Sequence, residues 1–148
     1  MTESTETVPV PQAAPAPALR PFASLKVDPQ KVADGVWVKH PDTEDQLCVR
    51  RLWCAQHLRA IEQAAIDYEA KHGTGTAQTA EGNKHCEAVG LATGVITNWR
   101  LKGDPTRAYD PAVMAAILVE PGFDDLKPWV MLEASKRGNF RPAALAGN

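Results

Sequence analysis

The sequence predicts an α+β fold in which helix dominates: an N-terminal β-hairpin followed by about four helices. Three observations carry this. Two short runs, Val36-Trp37-Val38 and Gln46-Leu47-Cys48-Val49-Arg50, have the β-branched and aromatic content or the polar-apolar alternation of strands, and a polar turn separates them. Beyond them apolar residues recur every three or four positions, the period of a helix with one buried face. Glycine and proline then punctuate that pattern at Gly73-Thr74-Gly75, Asp110-Pro111 and Pro121-Gly122, cutting it into segments of helical length.

Taken in order, residues 1–24 hold Pro9, Pro11, Pro15, Pro17 and Pro21 among Ala, Thr and Glu. Such a segment neither sustains a helix nor buries a core, so it is expected to be a disordered arm. The folded domain is expected over residues 25–142, with a flexible tail at 143–148. In the hairpin, Val36 and Val38 are expected on the same side as Leu47 and Val49, across the turn Pro41-Asp42-Thr43-Glu44-Asp45. The first long helix is expected from about Leu52 to His72, with Cys54, Leu58, Ile61, Ala65 and Tyr68 on its apolar side, ended by Gly73. A second is expected from about Thr79 to Trp99, its face formed by Val89, Ala92, Ile96 and Trp99, although Gly82, Gly90 and Gly94 each cost it about 1 kcal/mol. Asp110-Pro111 is a start signal, an N-cap followed by proline at the first helical position, for a helix buried through Val113, Met114, Ile117 and Leu118. The fourth is expected to bury Phe123, Leu126, Trp129, Val130 and Leu132, with Asp124 and Asp125 in its first turn, Lys136 and Arg137 in its last, and Gly138-Asn139 as its stop.

Composition narrows function. The 148 residues, 44% hydrophobic, suit one domain with a single core. Lys plus Arg number 16 against 18 Asp plus Glu, a net charge of -2, so no global field gathers nucleic acid or an anionic membrane. No apolar run approaches the ~20 residues of a membrane span, and the start is acidic and Pro-rich where a signal peptide is basic and then apolar. The expectation is a protein of the cytoplasm.

The residues that bear chemistry form no pattern of an enzyme. No GxSxG elbow is present, and His40, His57, His72 and His85 stand in no catalytic context. Gly73-Thr74-Gly75 lacks the Lys-Ser/Thr of a phosphate-binding loop and reads as a linker. Cys48, Cys54 and Cys86 are odd in number, which argues against a disulfide framework. Cys54 with His57, and His85 with Cys86, invite a zinc reading, but no CxxC is present and adjacent helical side chains diverge. Asp124-Asp125 is accounted for by helix polarity. No catalytic residue, cofactor or metal is expected.

One rival reading concerns residues 86–102. Cys86, Gly90 and Ile96 with Trp99 fall at the spacing of the crossing, turn and anchor residues of a helix-turn-helix, and Asn98, Arg100 and Lys102 are then placed to meet bases or phosphates. The absence of a basic excess counts against it.

A second likeness spans more of the chain. In order come Leu25-Lys26-Val27-Asp28, Gly35-Val36-Trp37-Val38, Leu47-Cys48-Val49-Arg50-Arg51 and the long helix. Then follow Trp99-Arg100-Leu101-Lys102-Gly103, Tyr109-Asp110-Pro111, Ala116-Ile117-Leu118, and Phe123-Asp124-Asp125-Leu126 through Phe140-Arg141. Over about residues 25–142 this order resembles the tail assembly chaperones of siphophages. The resemblance implies a non-catalytic role in virion construction: such proteins coat the aggregation-prone tape-measure protein, hold it soluble and extended, and help recruit tail-tube subunits. It also implies an apolar contact surface, for which Trp53, Trp99 and Trp129 are the candidate partner-binding residues, with core burial as the competing role for each. A structural head or tail subunit of the same kind of virus is the remaining alternative.

Overall fold

The computed structural model describes residues 20–143; most of the expected N-terminal arm and C-terminal tail lies outside them. Within them the fold is α+β, with a three-stranded antiparallel sheet and five α-helices. Helix α1 (Pro29–Asp34) precedes strands β1 (Val36–Lys39) and β2 (Gln46–Val49). Helices α2 (Ala55–His72) and α3 (Ala80–Gly90) follow, then a single π-helical turn, Leu91–Val95, and strand β3 (Ile96–Arg100). Helices α4 (Pro111–Val119) and α5 (Leu126–Ser135) complete the set, and Arg137–Phe140 is a 3-10 turn.

The hairpin puts Val36 and Val38 on the same side as Leu47 and Val49, as expected, in the register Val36 opposite Val49 and Val38 opposite Leu47, so one face is apolar and packs on the helices. The four helices expected after it are present, and Asp110 caps α4 as Asp-Pro predicts, its Oδ1 accepting the Ala112 N–H at 2.9 Å. The same signal at Asp28-Pro29 starts α1, which the sequence reading passed over; Asp28 Oδ1 accepts the Gln30 N–H at 2.9 Å.

The expected second helix is corrected. It stops at Gly90, and Ile96–Arg100 is the third strand, antiparallel to β2 with Leu47 opposite Trp99 and Val49 opposite Ile96. A β-bulge opposite Cys48/Val49 lets Ile96 and Trp99, three residues apart, both point into the core. That spacing is the one a helix uses to bury a face, which is why the segment reads as helical. The glycines have a steric task at this break. A Cβ on Gly94 would lie 2.7 Å from His57 Cα and 2.8 Å from both Ala60 Cβ and Gln56 O, so α2 crosses the π-helical turn in direct backbone contact.

Two faces are also rotated from expectation. Helix α2 buries His57 and Ala64, while Leu58 is exposed, because α2 lies against α3 and the π-helical turn through its His57/Ala60/Ile61/Ala64 side. In α5 Val130 and Ala134 are the buried positions, while Phe123 and Leu132 are 45% and 54% exposed. Asp124 and Asp125 precede α5 and Lys136 and Arg137 follow it, so none of the four lies in its first or last turn. The main core gathers the inner sheet face, the π-helical turn, Met114 and Leu118 of α4, Val130 and Ala134 of α5, and Phe140, which is fully buried.

A candidate partner-binding groove

Between the sheet and the last two helices lies an apolar groove of about 410 Å³. Its floor is Leu47 from β2 and Trp99 from β3; its walls are Val113 and Ile117 of α4 and Leu126 and Trp129 of α5. Phe123, half exposed in the turn between those helices, overhangs it. The α4 pair is spaced i, i+4 and the α5 pair i, i+3, so each helix turns one side of itself to the groove.

The aromatic groups are held in different ways. Trp99 is 5% exposed, and its indole N–H donates to the Arg107 carbonyl at 2.9 Å, so its polar atom is satisfied internally and the ring serves as floor. Tyr109 meets that ring edge-on at 5.0 Å and donates its hydroxyl to the Ala92 carbonyl. Burial, with the Asp110 charge adding to it, pushes the Tyr109 hydroxyl far above its usual pKa, so it stays a protonated donor. Trp129 is half-buried, with His40 edge-on at 4.7 Å, and its indole N–H finds no acceptor among the described residues. An aromatic ring with one polar edge open is suited to meet a partner.

The rim is charged. Asp42, Asp45 and Asp125 border the groove, with one permanent cation, Arg107, whose guanidinium lies 5.5 Å from the Trp99 ring centre. Asp125 is the N-cap residue of α5, at the positive end of its dipole as helix polarity predicts; its side chain makes no capping bond and it also borders the groove.

Of the three tryptophans predicted to meet a partner, the fold brings Trp99 and Trp129 together and leaves Trp53 outside the groove. Trp53 is 60% exposed at a left-handed backbone position, φ 66°, before α2. Sequence reasoning missed Phe123, His40, Asp42 and Arg107 as groove residues. Only the apolar pairs Val113/Ile117 and Leu126/Trp129 on either side of Pro121-Gly122 offered a signal, that of two adjacent helices sharing a cleft.

The helix-turn-helix reading of residues 86–102 does not match this geometry. Asn98 and Arg100 lie on a strand, Arg100 stacks its guanidinium 3.7 Å from the Trp37 ring centre, and Lys102 pairs with Glu44. No recognition helix is formed there. The cysteine and histidine candidates are likewise dispersed: among the described residues no three His, Cys, Asp or Glu side chains are placed to hold a metal. Cys86 is buried, which raises its thiol pKa, helped by the Glu69 charge, and leaves it a poor nucleophile. His57 is buried with Nδ1 accepting the Trp53 N–H at 2.9 Å. No helix among the described residues is long and apolar enough to cross a membrane.

No family model, curated protein or solved structure matches this chain.

Proposed function

We propose that this protein is a tail assembly chaperone of a long-tailed bacteriophage, which binds the tape-measure protein in the host cytoplasm and helps recruit tail-tube subunits during tail construction. The observation that carries the reading is the groove: Trp129 and Phe123 stand partly exposed beside an apolar cleft, the form of a site that covers an apolar protein segment. The ordered likeness over residues 25–142 supplies the biological setting.

Co-expression of the full chain with the tape-measure protein encoded downstream of it tests the reading. The large protein is expected to become soluble and to co-purify, and the small one to be absent from finished tails. A tape-measure protein that stays insoluble overturns the proposal. Retention of this chain in purified virions favours a structural subunit instead.

A further inference from the structure

The groove leaves few ways for a protein segment to bind. Strand addition is closed at its floor, because Leu47 lies on β2, the central strand, which pairs with β1 on one side and β3 on the other. On β3, the edge strand, the Trp99 N–H already donates to Asn98 Oδ1 at 2.9 Å, and the groove itself presents side chains. Recognition therefore falls to side chains. A segment that offers apolar side chains on one side while satisfying its own backbone is an amphipathic helix, and two helical walls form the groove in which such a helix lies.

The rim sets the sign of its charge. Asp42, Asp45 and Asp125 enter none of the ion pairs found among the described residues. Asp45 accepts the Lys102 backbone N–H at 2.8 Å, which leaves its charge uncompensated. Facing three carboxylates stands the single guanidinium of Arg107. A partner with cations beside its apolar residues complements this rim, and one with carboxylates is repelled.

We propose that the groove binds an amphipathic α-helix of the partner. That helix sets two apolar side chains, about one turn apart, against Trp99, Trp129 and Phe123, and carries Lys or Arg facing Asp42 and Asp125. The proposal rests on the chaperone reading, in which the helix belongs to the tape-measure protein.

The test titrates the full chain with overlapping synthetic peptides covering the tape-measure protein, read by calorimetry. Peptides that bind are expected to be amphipathic with basic flanks. Trp129→Ala, and separately the double variant Asp42→Lys/Asp125→Lys, are expected to weaken binding at least about tenfold, the size of one lost anchor or rim pair. Exchanging the peptide's flanking Lys for Glu is expected to restore binding to the double variant. Ile66→Ala, on the exposed side of α2, serves as the control and is expected to bind as the parent does. Circular dichroism melts verify that each variant is folded.

Acidic peptides binding as well as basic ones, or full affinity in both groove variants, overturns the proposal. So does a concentration-dependent dimer of this chain that Trp129→Ala abolishes, since the occupant is then a second copy. If the whole tape-measure protein still co-purifies with both groove variants, the helix site is wrong and the chaperone reading stands. If it fails to co-purify with the parent chain, both fall.

Discussion

His57 is 2% exposed, and because its Nδ1 accepts the Trp53 N–H at 2.9 Å, its single proton rests on Nε2. That bond ties the loop before α2 to the helix's first turn, with the two rings 4.9 Å apart. Burial lowers the His57 pKa below its ordinary 6.5, the Glu87 carboxylate opposing in part. The folded state thus resists a proton that the unfolded chain accepts. The stabilisation is present above pH 6.5 and is lost as pH falls through that value towards the lower folded pKa. Denaturant unfolding from pH 8 to pH 5 is expected to show stability falling in the acid half, and His57→Gln is expected to flatten that slope. An unchanged slope in the variant shows that other groups set it. Sequence reasoning weighed His57 as half of a metal pair with Cys54 and as a histidine in no catalytic context, and did not find its burial, because burial depends on what α2 packs against.

The break between α3 and β3 illustrates the limits of periodicity at the scale of an element. Gly90 and Gly94 look like costs to a continuing helix, and in the fold they are points of close approach to α2, a Cβ on Gly90 lying 2.6 Å from Ile61 Cγ1. The half-buried Arg50 secures the same place, its Nε donating to the Ala33 carbonyl at 2.7 Å and its Nη1 to the Gly94 carbonyl at 3.3 Å. Gly94→Ala is therefore expected to lose about 1–3 kcal/mol through overpacking against α2, despite the higher helix propensity of alanine. Gly103→Ala, where a Cβ meets nothing within 4 Å, is expected to change stability by no more than about 0.5 kcal/mol. Chemical denaturation of the two variants side by side checks this; equal effects remove the steric account.

Across the whole molecule the two ends of the described chain close on each other. The Asp28 N–H donates to the Phe140 carbonyl at 2.7 Å, Lys31 Nζ to the Arg141 carbonyl at 2.8 Å, and the Leu52 N–H to the Ala134 carbonyl at 2.9 Å. Phe140 is fully buried and is the largest side chain to be so. Its truncation leaves a cavity in the main core, so Phe140→Ala is expected to destabilise by about 3–5 kcal/mol. A thermal melt unchanged by that substitution refutes the closure. The Lys127–Glu87 pair, 3.1 Å, adds a partly exposed tie between α5 and α3, of a kind worth about 1 kcal/mol or less.

The hairpin, the long helix α2 and the start of α4 were legible from sequence because each depends on neighbours along the chain: alternation across a short turn, a run without breakers, an Asp-Pro cap. Residues 96–100 were not. Their buried pair Ile96 and Trp99 has helical spacing, and only pairing with β2, beyond α2 and α3, together with the bulge, makes the segment a strand. The groove has the same character. Trp99 and Trp129 were visible as candidates, while Trp53 looked equivalent to them, since composition does not say which rings share a cleft. Local propensity determined the hairpin, α2 and the start of α4; the strand at residues 96–100, which faces meet, and so where an apolar surface stays open, were decided by packing between residues far apart in the chain.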